Sequence, residues 1–224
     1  MRPLPWSHST LAGFDTCPRQ YEEIKVHKNY QDAKNPASIW GDEVHHAFEV
    51  YLKASGALPL PINMQCYTEY LDNFLARRGT LLAEQKYGLD VKLRPCDFLA
   101  PEVWMRGIVD VLTLDGDTAY VDDHKTGKNR KVNMQQLIVF SLLVFYHHPP
   151  IDTCHVAYHW LQLGAKDTKT FHRAEIPAMW ESLMPRLTAY KKAFDMGIFP
   201  PKPSGLCRRN CAVDSCEYFG GGRR

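Results

Sequence analysis

Charge of one sign is not in excess in this 224-residue sequence: 27 lysines and arginines against 25 aspartates and glutamates leave a formal net charge of +2. So even a balance excludes a global electrostatic pull toward polyanions, and any nucleic-acid contact must come from a local groove. Long hydrophobic runs are also missing. The longest, Leu137 to Tyr146, is interrupted by Ser141 and falls short of the roughly 20 apolar residues that span a bilayer. The opening Met1-Arg-Pro-Leu-Pro-Trp-Ser7 lacks the apolar core of a secretory leader, so the expected location is the cytoplasm, away from membranes. Internal repeats and low-complexity tracts are absent as well. Cysteine is present but odd in number, at seven. Without a secretory signal, that count argues against a disulfide framework and toward metal binding.

What is present is an ordinary globular composition, 45% hydrophobic and 23% charged, long enough for one sizeable core. Ser7 and Ser9 precede a short helix that ends near Cys17-Pro18. Pro36 and Ser38 open a second helix, with Val44, Ala47, Phe48, Tyr51 and Leu52 on one face, stopping at Ser55-Gly56. Tyr67, Tyr70, Leu71, Phe74 and Leu75 give helical spacing to Gln65–Arg77. Leu81–Leu93 reads as extended or hairpin structure. Val103–Leu114 alternates and is rich in β-branched residues; Asp115-Gly116-Asp117 then signals a hairpin turn into a partner strand, Ala119–His124. From Asn133 a helical period returns until Pro149-Pro150. His155–Leu163 and Thr170–Ile176 read as a hairpin across Gly164-Ala165, and Met179–Met196 as the last long helix. Pro200, Pro201 and Pro203 mark an extended linker, and Gly220 to Arg224 a flexible tail. This order predicts an α/β or α+β domain.

Arg106-Gly-Ile-Val-Asp110 followed by Asp122-Asp123-His124-Lys125-Thr126-Gly127 is the most informative stretch. Asp110 interrupts an otherwise apolar strand. Asp123 and Lys125, two apart, share a strand face. Pairing through the Asp115-Gly116-Asp117 turn would bring Asp110 beside Asp123. Two buried carboxylates that close repel each other unless a cation neutralises them, and oxygen ligands suit Mg²⁺ or Mn²⁺. A neighbouring ammonium could orient water and offset charge on a phosphate in transition. An isolated Asp-x-Lys is commonly just a solvated turn; the Gly-x-x-Asp strand before it and the Thr-Gly after it argue otherwise.

Gly-Ile-Val-Asp110, Asp123-His-Lys125-Thr-Gly and Gln136 opening a helix resemble the PD-(D/E)XK nucleases, specifically their RecB-like branch. Gly41-Asp-Glu-Val-His45 matches that branch's Gly-x-x-x-His helix, and Ser7 to Tyr21 its N-terminal segment. The resemblance implies a restriction-endonuclease-like core, a central mixed sheet flanked by helices, filling residues 1–224. It implies His45, Asp110 and Asp123 as ligands of Mg²⁺ or Mn²⁺, together with the main-chain carbonyl of His124. Lys125 would be the catalytic lysine, and Gln136 would position it or DNA. Two positions depart from the usual pattern: His124 stands where an aromatic is common, and Phe140 where a tyrosine is common. The neighbouring His46 points elsewhere on the helix, and Glu49 and Glu84 are possible supporting carboxylates or surface residues. The spaced His155 and His159 read as strand residues rather than a metal pair.

Cys207-x3-Cys211-x4-Cys216 places three thiols within ten residues, a spacing that suits a soft metal centre. Cys17 is the natural fourth ligand. The arrangement is similar to RecB-like nucleases that carry an iron–sulfur cluster, such as the CRISPR adaptation exonuclease and the AddB nuclease domain. It implies a [4Fe–4S] cluster, with zinc as the alternative, in a subdomain formed by 7–21 with 200–219. Cys66, Cys96 and Cys154 read as small buried hydrophobes. Arg19, Arg106 and Lys128, the last in the basic run to Lys131, are candidate DNA contacts, though solvated faces explain such residues equally well.

The expected function is a Mg²⁺/Mn²⁺-dependent deoxyribonuclease, an exonuclease on single-stranded DNA ends with 5′→3′ polarity. It would serve recombination, repair or processing, in bacterial or phage-infected host cytoplasm, beside recombination or replication proteins. The rival is a non-catalytic DNA-end-binding scaffold that retains the fold and cluster.

Overall fold

A two-residue turn organises the centre of the sheet. Strand β3 (Met105–Asp115) reverses into β4 (Thr118–Lys125) with Asp115 opposite Thr118, and Gly116 takes the left-handed φ of 61° that the turn requires. On its other side β3 pairs antiparallel with β1 (Thr80–Leu89), which turns back into the short edge strand β2 (Pro95–Cys96). Strand β5 (Thr153–Trp160) joins β4 in parallel, and β6 (Ala165–His172) pairs antiparallel with β5. The sheet order is therefore β2-β1-β3-β4-β5-β6. This computed structural model describes residues 3–32, 35–208 and 210–221; part of the glycine–arginine tail, 222–224, lies outside them.

A parallel neighbour cannot be reached by a hairpin, so a crossover must link β4 to β5. Helix α5 (Met134–His147) is that crossover, and nine consecutive residues of it, Leu137 to Phe145, are buried. Helix α3 (Pro36–Lys53) starts at Asn35, whose side chain caps Ser38 N–H at 2.9 Å, with Pro36 in the first turn. It packs with α4 (Thr68–Leu75) around Val44, Phe48, Leu52, Leu71, Phe74 and, from the sheet, Ala83 and Val111. The chain is thus an α/β fold with a mixed sheet flanked by helices. Among the described residues no helix is long and apolar enough to cross a membrane.

The chain divides into two units, Met1–Pro5 with Asn35–Trp180, and Trp6–Lys34 with Glu181–Arg224. The first holds the sheet. The second contains α1 (His8–Thr16), the four-residue α2 (Pro18–Tyr21), a π-helical turn at Glu22–Val26 and most of α6 (Ile176–Met196). Its aromatic residues meet edge to face: Phe14 lies 5.4 Å from Tyr190 and Phe194 5.1 Å from Phe199, ring centre to ring centre. Tyr21 and Tyr190 share a hydroxyl hydrogen bond of 2.9 Å.

Several boundaries differ from the sequence reading. The segment expected as one helix from Gln65 begins as a 3₁₀ helix over Ile62–Tyr67 before α4. The strand expected over Thr170–Ile176 is β6 at Ala165–His172, and α6 already begins at Ile176. Polar residues on an exposed edge strand carry little alternating signal, which explains that shift. Cys66, expected to be buried, is exposed, whereas Cys154 is buried.

Candidate active site

Four segments of the first unit bring the acidic and basic groups together. The last rung between β3 and β4 sets Val111 opposite Asp122, which leaves Asp110 and Asp123 at the diverging ends of paired strands. The Asp110 carboxylate accepts the His124 main-chain N–H at 2.8 Å. From α3, His45 directs Nδ1 to the same carboxylate oxygen at 3.3 Å and to Glu84 Oε1 at 3.6 Å. His46 faces outward, its side chain 77% exposed. Gly41, one turn before His45, lets the helix approach the Thr126 turn: a Cβ there would meet Thr126 Oγ1 at 3.2 Å.

Glu84 lies on β1 between the rungs Ala83–Val111 and Gln85–Val109, opposite Asp110. Its φ of 50° is left-handed, a conformation costing a glutamate about 1–3 kcal/mol. That distortion points its carboxylate at His45. Sequence alone left Glu84 as readily on the surface, because nothing local marks a left-handed residue inside a strand.

Lys125 Nζ stands 2.6 Å from Asp123 Oδ2 and 3.2 Å from Gln136 Oε1, to which it donates. Gln136 in turn donates through Nε2 to Asp123 Oδ1 at 3.2 Å. The Tyr158 hydroxyl, 2.9 Å from both Gln136 Oε1 and the Asn133 carbonyl, fixes the glutamine from β5, and the lysine ammonium lies 4.8 Å from the Tyr158 ring centre. Tyr158 was not singled out from sequence, where it reads as one of an alternating strand series.

Burial and charge divide the two carboxyls. Burial works to raise Asp110, but the His45 hydrogen bond and charge, with the His124 N–H, hold it below the usual carboxylate range. Burial, then the charge of Asp110, push Asp123 up to about 7 despite Lys125. Burial works against protonating His45, yet Asp110 and Glu84 raise it to about 10. Burial pushes the His124 imidazole down to about 4. Asp122, on the alternate face, is a separate matter: Arg77 and His159 each reach it at 2.6 Å, a buried ion pair that balances its charge.

The donor set fits a hard or borderline divalent cation. Buried Asp123 Oδ2 meets the Lys125 ammonium at 2.6 Å and has no other polar partner among the described residues. A buried carboxylate beside an imidazole, and a second buried carboxyl that feels its charge, offer oxygen and nitrogen donors that suit such an ion. Among the described residues, ligand atoms of His45, Asp110 and His124 lie within 4.8 Å of one another.

In the second unit Cys17, Cys207, Cys211 and Cys216 line one cavity, with Arg19, Lys202 and Phe219 on its walls. Lys202 N–H donates to Cys17 Sγ and Ser204 N–H to Cys207 Sγ, each at 3.4 Å. Burial raises the Cys211 thiol, and the other three sulfurs add to the shift. Four sulfur donors gathered in one cavity, two of them accepting main-chain N–H bonds, fit a cationic centre. The candidate DNA contacts belong to different units, Arg19 to the second and Arg106 and Lys128 to the first. Arg19 is engaged by Glu22 and Glu23 at 2.9 and 2.8 Å, Arg106 sits 5.0 Å over the Phe98 ring, and Lys128 is exposed.

A mixed sheet with acids at the divergence of two central strands, and a lysine two residues beyond one of them, defines a nuclease of restriction-endonuclease-like architecture. The chain matches the model of the PD-(D/E)XK nuclease superfamily over residues 5–217 and belongs to that superfamily. Among solved structures it is similar to SSO0001, at 15% identity and a TM-score of 0.48 over 95% of this chain and 85% of that one. It is similar to a candidate exonuclease from Eubacterium rectale at the same identity and TM-score, over 96% and 87%. No curated protein matches the chain in sequence.

Proposed function

We propose that the chain is a Mg²⁺- or Mn²⁺-dependent DNA exonuclease of the RecB-like branch, acting 5′→3′ on single-stranded ends in recombination, repair or DNA processing. One observation carries this reading: His45 Nδ1 lies 3.3 Å from Asp110 Oδ2, the Asp110 charge acts on buried Asp123, and the Lys125 ammonium stands 2.6 Å from Asp123 Oδ2. His45, Asp110, Asp123 and the His124 carbonyl would hold the cation. When bound, it would supply positive charge to polarise a phosphodiester and acidify water.

The protein's own groups divide the remaining work. Glu84 and the His124 N–H orient His45 and Asp110. Lys125, held by Gln136 and Tyr158, places a positive charge where a nonbridging phosphate oxygen gains negative charge, and can steer the attacking water through its N–H donors. Asp123, raised by burial and the Asp110 charge, would give up its proton as the cation enters and serve as an oxygen donor beside the Lys125 ammonium. The four-cysteine cavity supports a [4Fe–4S] cluster in a subdomain of 7–21 and 200–219, with zinc as the alternative occupant.

Labelled single- and double-stranded DNA with either end blocked, incubated with Mn²⁺, tests the proposal. The expected result is mononucleotide or short-fragment release from single strands with a free 5′ end, lost in Asp123→Ala. DNA binding by the wild type without cleavage would instead make it a scaffold. Iron and zinc content after anaerobic purification decides the occupant of the cysteine cavity.

A further inference from the structure

His124 presents a side chain that the carbonyl role does not use. Its imidazole is 1% exposed and ringed by Phe48, Tyr70, Phe74 and His159 at 5.0 to 6.1 Å between centres. A phenyl ring would fill that box equally well. Yet the chain carries two ring nitrogens there, and neither has a hydrogen-bond partner. Buried polar groups are rarely left so, and an absent ion is one of the few explanations. The nitrogens are also close to donors: Nδ1 lies 3.9 Å from Asp110 Oδ2, the oxygen that His45 Nδ1 approaches at 3.3 Å. The three ligand atoms fall within 4.8 Å of one another, a span one ion with bonds of about 2.0–2.2 Å can close with small side-chain adjustment.

Building on the metal centre proposed above, we infer that the His124 imidazole is itself a ligand. With His45 and Asp110 it forms a two-histidine, one-carboxylate set that selects Mn²⁺, Co²⁺ or Zn²⁺ over Mg²⁺. Two imidazoles favour first-row transition ions, whereas Mg²⁺ holds to oxygen donors and retains its waters. Zn²⁺ or Co²⁺ seated in this way engages His45 and Asp110, and so competes with a Mg²⁺ that uses the same two residues. The site therefore discriminates among metals through the side chain of a residue whose main-chain N–H already holds Asp110.

Cobalt tests this directly. The full-length protein, labelled with ¹⁵N in its histidine rings, is titrated with Co²⁺ beyond the amount the cysteine cavity takes up. Each ligated imidazole then gives one strongly shifted, exchangeable ring N–H signal, which cysteine ligands cannot give. Two such signals are expected, one of them absent in His124→Phe, together with a Co²⁺ affinity weakened by at least the roughly ten- to hundred-fold that loss of an outer-shell partner costs. Retention of the His45 signal in the variant shows that it still folds. A single signal that persists in His124→Phe, with unchanged Co²⁺ affinity, overturns the inference while leaving a His45-based centre intact. No shifted imidazole signal at all removes both the inference and the metal centre it rests on.

Discussion

The Lys125 ammonium and the Asp123 carboxylate lie 2.6 Å apart on one strand, with Gln136 bonded to both. The lysine's charge is therefore fixed beside a carboxylate instead of swinging in solvent. Removing it as Lys125→Met takes away a preorganised positive charge, an effect usually worth about 10²–10³-fold in turnover. The cation ligands stay in place. Single-turnover cleavage of labelled DNA should therefore fall by that factor, while Mn²⁺ affinity measured by calorimetry stays within a few fold. Equal loss of both would show that the lysine organises the ligands rather than the chemistry.

Tyr158 acts one step further back. Its hydroxyl meets Gln136 Oε1 and the Asn133 carbonyl at 2.9 Å, so Tyr158→Phe leaves the glutamine held by Lys125 and Asp123 alone. A net hydrogen bond of about 1 kcal/mol corresponds to about a fivefold drop in kcat. KM for DNA should barely change, because the tyrosine reaches the site only through Gln136. A change confined to KM would instead make Tyr158 a DNA contact.

These two residues show what the sequence makes legible. Asp110, Asp123 and Lys125 were accessible because strand period and a turn signal fix their relative positions, and Gln136 only through the family resemblance. His45 was accessible from its glycine spacing, which the structure explains by the close approach of Gly41 to Thr126. Tyr158 was not singled out, and Glu84 was left equally as a supporting carboxylate or a surface residue. Tyr158 meets the site through parallel pairing across a helical crossover, a long-range relation that no local pattern encodes. Glu84 depends on one left-handed residue within a strand. The edge strand β6 was misplaced for a related reason: its exposed residues have no buried partner to enforce alternation.

The cysteine cavity leads to a prediction that does not depend on catalysis. Cys17 belongs to the N-terminal segment and the other three cysteines to the C-terminal one, so a shared centre cross-links regions far apart in sequence. Replacing Cys17 or Cys211 with serine should lower bound iron or zinc to below stoichiometric. It should also lower the thermal midpoint, because metal binding contributes directly to folding where the ligands come from distant chain positions. Cys66→Ser, at an exposed position outside the cavity, is the control and should change neither quantity.

The pH dependence of the metal-free protein follows from Asp123. Burial and the Asp110 charge raise its carboxyl from 3.8 to about 7, so the folded state holds that proton more tightly than the unfolded chain. The resulting stability is fully present below about pH 4 and is lost as pH rises through about 7. Asp123→Asn should remove this component, so in EDTA the variant gains stability over the wild type as pH increases across that window. A divalent ion reverses the trend, because it displaces the Asp123 proton and the proton on His45, whose folded value is raised to about 10. Mn²⁺ should therefore raise the wild-type midpoint little at about pH 5.5 and by several degrees at about pH 8. Thermal unfolding at the two pH values, with Mn²⁺ and with EDTA, measures both trends; an Mn²⁺ shift that is the same at both would mean that no proton leaves the site when the ion enters.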